Sequence, residues 1–126
     1  MAEGQRDQRT EQVIGLAIEV HRQLGPGLLE SAYEACLCFE LNAMGFPYSR
    51  QVPLQLKYKD VMLECGYRMD IVVEDQLVIE LKTVDRLLPI HDAQMLTYLR
   101  LSGIRTGLLL NFNTVLFKDG LRRLVW

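Results

Sequence analysis

Residues 75–85 read DQLVIELKTVD, in which an acid and a base interrupt an otherwise apolar segment. Ile79 and Leu81 alternate with their neighbours, as in a strand that packs one face into a core. Residues two apart in a strand share a face, so Glu80 and Lys82 are expected together on the other one. Burying charged groups costs stability unless they find partners, and this strand therefore predicts a compensating group nearby.

A second acid, Asp70, breaks the apolar run of the preceding predicted strand, YRMDIVV (67–73). If a hairpin turns at residues 74–76, Asp70 and Glu80 each lie five residues from Asp75. They then fall nearly opposite each other, and cross-strand partners are about 5 Å apart. The residues expected on the opposite face of the Asp70 strand are Met69, Ile71 and Val73.

Two carboxylates this close repel each other unless a cation lies between them. Mg²⁺, or Mn²⁺ in its place, prefers such oxygen ligands and keeps several waters. Lys82 beside them would orient or deprotonate one of those waters, or balance the charge of a phosphate. The spacing alone leaves a second interpretation open, in which the three residues are a salt-bridged trio on a solvated sheet face.

Length and composition predict a single domain over residues 1–126, with residues 1–8 as a flexible N-terminus. The net charge of −2 is not the basic footprint of a tight nucleic-acid binder. No signal-peptide core and no membrane-spanning apolar run is visible, so we expect a cytoplasmic protein without membrane contact. The three cysteines have no regular spacing, which argues against a disulfide framework or a zinc site.

The periodicity changes from helical to strand-like and back along the chain. Thr10 is a plausible cap for a first helix, which stops at the GPG of residues 25–27. Three or four antiparallel strands are expected between the second and third helices. The fold class is therefore α/β, a central mixed sheet flanked by helices. The predicted helices are about 10–24, 29–44 and 89–103. The first predicted strand is 51–59, and the last two are 106–112 and 121–126.

Two further polar features are candidates for the same site. Glu30 lies on the otherwise apolar, inward face of the second helix, where a helix-start acid that complements the dipole is the alternative. Gln94 and Tyr98 are four residues apart on the third helix, on the stripe of His91, where a solvent-facing row is the alternative. His21 lies on an apolar stripe, which favours a hydrogen-bonded structural histidine.

Several blocks, in this order, resemble the GxxExxY protein family, whose signature matches GLLESAY at residues 27–33. The other matching blocks are VHRQLGPGLLESAYE (20–34), IELKTV (79–84), HDAQMLTYL (91–99) and GLLLNF (107–112). That family is placed in the PD-(D/E)xK nuclease-like superfamily. The resemblance covers about residues 10–125 and implies the restriction-endonuclease-like fold. His21 and His91 also match the family pattern, but neither is assigned a role.

The resemblance also implies a role for each candidate residue. Asp70 and Glu80 would bind Mg²⁺ together with the main-chain carbonyl of Leu81, and Lys82 would position or activate the attacking water. Glu30 would be an outer or second-metal ligand. The residues implied to contact or organise the substrate are Gln94, which would also be catalytic, and Tyr98. Met69 stands where many members of the superfamily have proline.

The expected function is metal-dependent hydrolysis of phosphodiester bonds in DNA or RNA. The alternative is a non-catalytic nucleic-acid or protein-binding module that retains the fold, working alone, as a homodimer or with a protein partner. A third interpretation, a partner-binding protein, depends on exposure of Val125 and Trp126. Among the arginines, Arg68 is the best candidate to steer a phosphate, because it shares the Asp70 face if its strand is regular.

Overall fold

The computed structural model describes the backbone of residues 2–126 and the side chains from residue 8 onward. Its sheet has five strands that lie side by side in chain order. The third and fourth strands run parallel, and the other neighbouring pairs run antiparallel. The strands are β1 (Tyr48–Tyr58), β2 (Val61–Val73), β3 (Leu77–Lys82), β4 (Thr106–Asn111) and β5 (Leu121–Val125).

Three helices, α1 (Ala2–Leu24), α2 (Glu30–Ala43) and α3 (Pro89–Ser102), cover the two faces of this sheet. One core cluster joins α1 and α2 to side chains such as Ile79 of the central strands. A second cluster joins α3 to the opposite face, through residues such as Val78. The predicted α/β architecture, a mixed sheet flanked by helices, is confirmed.

The central strands β3 and β4 are buried on both faces, which explains their nearly continuous apolar sequences. The helix α3 connects these two parallel strands and packs closely on β4, because Gly107 leaves room there for Met95. Glu80 lies in the middle of β3 and is only 4% exposed. The fold therefore places a carboxylate in an interior that disfavours its charge.

Of the three or four strands expected before α3, the structure has three, because β2 is a single strand of 13 residues. Two other expectations are corrected. Thr10 does not cap α1, since α1 begins at Ala2 and Thr10 is a buried residue within it. Met69 does not share a face with Ile71, since it packs in the α3-side cluster, and Ile71 packs against α1 and α2. Opposite Asp70, the edge strand β1 is irregular at Gln51, whose φ is 50°.

Met1 lies outside the described residues, and the flexibility predicted for residues 1–8 stays a prediction. Among the residues that the structure describes, no helix combines the length and the apolar character needed to cross a bilayer. The three cysteines are all free thiols.

Candidate functional site

Asp70 and Glu80 meet across the β2–β3 hairpin, as their spacing predicts. The strands pair Val72 with Val78 and Ile71 with Ile79, so the next residues outward are Asp70 and Glu80. The main-chain N–H of Asp70 donates to Glu80 Oε1 at 2.8 Å. The main-chain N–H of Leu81 donates to Asp70 Oδ2 at 2.9 Å. Each carboxylate is thus fixed by the backbone of the strand opposite.

Burial disfavours the charged form of both the Asp70 and the Glu80 carboxylates. It is the first cause that raises the pKa of Glu80 to about 8, and the negative charge of Asp70 is the second. Burial also raises the pKa of Asp70, against the opposing effect of the hydrogen bond from Leu81. Raised carboxyl pKa values in one cluster are typical of sites that bind a cation or carry out acid–base chemistry.

Lys82, Gln94 and Tyr98 form a chain of hydrogen bonds beside the two carboxylates. Lys82 Nζ donates to Gln94 Oε1 at 3.2 Å, and Gln94 Nε2 donates to the Tyr98 hydroxyl at 3.1 Å. Tyr98 is only 5% exposed, so the alternative of a solvent-facing row is wrong for this residue. Burial, followed by the charge of Glu80, raises the pKa of the Tyr98 hydroxyl.

The arrangement also rules out a solvated, salt-bridged trio. Glu80 is buried, and among the described residues Lys82 forms no ion pair with Glu80 or Asp70. The positive charge therefore lies next to the two carboxylates without directly neutralising either one.

Glu30 stands at the rim of the site, at the exposed start of the helix face whose next members, Tyr33 and Leu37, are buried. The residue is exposed at the start of α2, although its carboxylate is partly buried. Partial burial, followed by the charge of Asp70, raises the pKa of Glu30, and Lys82 opposes the shift. Glu30 therefore faces the same site as the acids of the hairpin.

Two residues that the sequence patterns did not identify, Glu34 and Gln51, adjoin Asp70 together with Arg50. Glu34 is buried and pairs with Arg50 at 2.9 Å. Gln51 Nε2 donates to Glu34 Oε1 at 2.9 Å and to Asp70 Oδ1 at 3.4 Å. The sequence held one signal for this group, because Glu34 lies one helical turn after Glu30. No local pattern identifies Gln51.

Arg68 lies next to this group, and among the described residues it forms no ion pair with Asp70, Glu80 or Glu34. Its guanidinium donates from Nη1 to the main-chain oxygen of Gln51 at 3.3 Å. The residue is exposed, so its charge faces solvent close to Asp70.

Both histidines have structural contacts. His21 is buried, lies 2.7 Å through Nε2 from the oxygen of Thr114, and packs on Phe112 and Phe117. The structural interpretation of His21 is therefore confirmed. His91 Nδ1 accepts the main-chain N–H of Leu88 at 2.9 Å at the start of α3.

Two residues of the matching sequence blocks hold the loops that border the site. The Tyr33 hydroxyl donates to the oxygen of Gly25 and accepts the N–H of Leu28, which fixes the loop before Glu30. The fully buried Asn111 donates to the oxygen of Val84 at 2.9 Å and accepts its N–H at 3.1 Å. Asn111 thereby secures the chain just after Lys82.

The donor set fits a hard divalent cation. Within the described part of the chain, no three carboxylate, histidine or cysteine side chains come together closely enough to hold a metal. Two adjacent carboxylates with raised pKa values, and the main-chain oxygen between Glu80 and Lys82, are nevertheless the oxygen donors that Mg²⁺ or Mn²⁺ prefers. Such an ion usually completes its coordination with water.

A mixed sheet flanked by helices, with an acid on one strand and an acid-x-lysine sequence on the next, is the arrangement of a nuclease-like domain. The family model described as the PD-(D/E)XK nuclease superfamily matches residues 7–124. The chain belongs to this superfamily. No curated protein and no solved structure matches the chain.

Proposed function

We propose that this protein is a divalent-metal-dependent nuclease that hydrolyses phosphodiester bonds in nucleic acid. The observation that carries the proposal is the adjacent pair of acids, the half-buried Asp70 and the buried Glu80, each held by a main-chain N–H of the opposite strand. Lys82 lies two residues further along the strand from Glu80. Membership of the PD-(D/E)XK nuclease superfamily supports it. Mg²⁺ is the preferred cofactor, with Mn²⁺ as its substitute.

Asp70, Glu80 and the main-chain oxygen of Leu81 would hold the ion. A bound divalent cation polarises the phosphoryl group and lowers the pKa of a coordinated water. The protein keeps this arrangement ready, because the N–H groups of Asp70 and Leu81 already orient the two carboxylates. Glu30, at the rim, would serve as an outer ligand or as a ligand of a second ion.

Lys82 would orient the attacking water and balance negative charge on the phosphate. Gln94 holds the ammonium group, and Tyr98 holds Gln94 in turn. Gln94 is thus in a position to organise Lys82 and to meet a substrate phosphate. Arg68 would add an exposed positive charge for the backbone of the nucleic acid.

The proposal is tested by cleavage of labelled single- and double-stranded DNA and of RNA, with Mg²⁺, Mn²⁺ or EDTA. Asp70→Asn and Lys82→Met should each lower the rate at least about a hundredfold, since each removes a group that acts on the reacting atoms. Asp75→Asn and Lys118→Met are matched controls at exposed positions, and both should cleave normally.

Full activity in Asp70→Asn or Lys82→Met would refute the assignment of the site. A folded wild-type protein that binds nucleic acid but never cleaves it would favour the alternative, a non-catalytic binding module. In that case binding should persist in EDTA, because the proposed metal would play no part in it.

A further inference from the structure

Gln51 has a backbone conformation that a residue of its type rarely adopts. It lies within β1, yet its φ is 50°, in the left-handed region that glycine, asparagine and aspartate enter far more readily. Such conformations persist where the surrounding contacts impose them, and they cluster at functional sites. The contacts around Gln51 identify what imposes this one.

Successive residues of a regular strand point to opposite faces of the sheet. Arg50 and Gln51 nevertheless both bond the same side chain, the buried carboxylate of Glu34. The left-handed turn of the backbone at Gln51 lets two consecutive side chains converge in this way. The strain is therefore coupled to a specific contact and is not a feature of a free loop.

The same amide nitrogen also reaches Asp70. Gln51 Nε2 lies 2.9 Å from Glu34 Oε1 and 3.4 Å from Asp70 Oδ1, so its two hydrogens face two different carboxylates. Asp70 Oδ2 accepts the N–H of Leu81. Gln51 thus contacts one oxygen of the Asp70 carboxylate, and the backbone of β3 contacts the other.

We propose that Gln51 is a positioning residue, which links Asp70 to the Glu34–Arg50 ion pair and holds its carboxylate in the orientation that binds the metal. This inference rests on the nuclease function proposed above. Gln51 acts through Asp70 and has no contact with the reacting atoms. Its backbone also accepts a hydrogen bond from Arg68, which brings a substrate-facing charge to the same residue.

The test compares wild type with Gln51→Asn and Gln51→Gly. Asparagine keeps the amide and tolerates a left-handed φ but is one methylene too short to bridge the carboxylates. Glycine tolerates the backbone and removes the amide altogether. The control is Gln55→Asn on the same strand, since Gln55 bonds only Glu64, at 3.0 Å, among the contacts of its side chain.

Two readouts are used, and the first needs no metal. In EDTA, both Gln51 variants should exchange the amide hydrogen of Leu81 about tenfold faster, because its acceptor, Asp70, is held less firmly. The amide of Ile79, in the same strand, should exchange at the wild-type rate. In the second readout, Mn²⁺ titration should show about tenfold weaker binding, the loss typical of removing a group that orients a metal ligand.

Wild-type Leu81 exchange and wild-type Mn²⁺ affinity in both Gln51 variants would overturn the positioning role. If wild type itself binds no Mn²⁺, the proposed nuclease function fails, and the Leu81 exchange rate alone then decides the role of Gln51. Unchanged exchange in that case also overturns it.

Discussion

Replacing Glu80 with glutamine should make the metal-free protein more stable at alkaline pH. Glu80 is 4% exposed and lies against the charge of Asp70, so ionising it in the folded protein is unfavourable. Glutamine is nearly the same size, carries no charge and retains an oxygen that can accept the N–H of Asp70. The substitution therefore removes the cost of the charge and keeps the hydrogen bond.

The magnitude follows from the pKa of Glu80, which rises from 4.5 to about 8 on folding. Because the folded protein binds this proton more tightly, the contribution of Glu80 to stability is complete below pH 4.5 and is lost as pH rises to about 8. One pKa unit is worth about 1.4 kcal/mol, so the wild type should lose roughly 4 kcal/mol relative to Glu80→Gln between pH 5 and pH 9. That loss is a large part of the 5–15 kcal/mol typical of a domain, on the order of a third.

Urea unfolding from pH 5 to pH 9 in EDTA measures this difference, with Glu64→Gln as a control on the exposed part of β2. Adding Mg²⁺ at pH 9 should restore stability to the wild type, because the ionised carboxylate would then have a cation, and should do so much less for Glu80→Gln. Parallel stability curves for wild type and Glu80→Gln across this range would show that the buried charge of Glu80 does not destabilise the folded protein.

Three further substitutions test the loops around the site, each by urea unfolding at neutral pH. Asn111→Ala should destabilise the protein by about 2–4 kcal/mol, because Val84 loses both of its hydrogen bonds to a fully buried side chain; a loss below 1 kcal/mol would contradict this. Gly120→Ala should cost at least about 2 kcal/mol, since its Cβ would collide with the main-chain oxygen of Asn111, and wild-type stability would show that this segment shifts freely. Tyr33→Phe should cost about 1–2 kcal/mol by freeing the oxygen of Gly25, and an unchanged midpoint would show that this hydroxyl does not hold the loop.

The sequence predicts the central pair of the site because the pair depends on local geometry. A three-residue turn at 74–76 sets the register of the β2–β3 hairpin, and the register fixes which residues face each other. Asp70 and Glu80 are equidistant from that turn, so their meeting could be predicted. The contact between Gln94 and Tyr98 could be predicted for a similar reason, since four residues make about one helical turn.

The contacts that sequence reasoning missed join elements far apart in the chain. Glu34 and Gln51 meet between a helix and an edge strand, and Gln51 adopts a backbone conformation that its residue type does not predict. The predicted face of Met69 is wrong for a related reason, because the side chains of β2 do not alternate strictly between the two faces of the sheet beside Gln51. Thr10 has the chemistry of a cap, but α1 extends past it to Ala2.

The metal-dependent site at Asp70 is tested most directly by cleavage of the labelled nucleic-acid panel by wild type and Asp70→Asn, in Mg²⁺ and in EDTA. We expect wild type to cut in Mg²⁺ but not in EDTA, and Asp70→Asn to cut in Mg²⁺ at most about a hundredth as fast. Equal cutting by the two proteins, or cutting that persists in EDTA, would contradict a metal-dependent site built on Asp70.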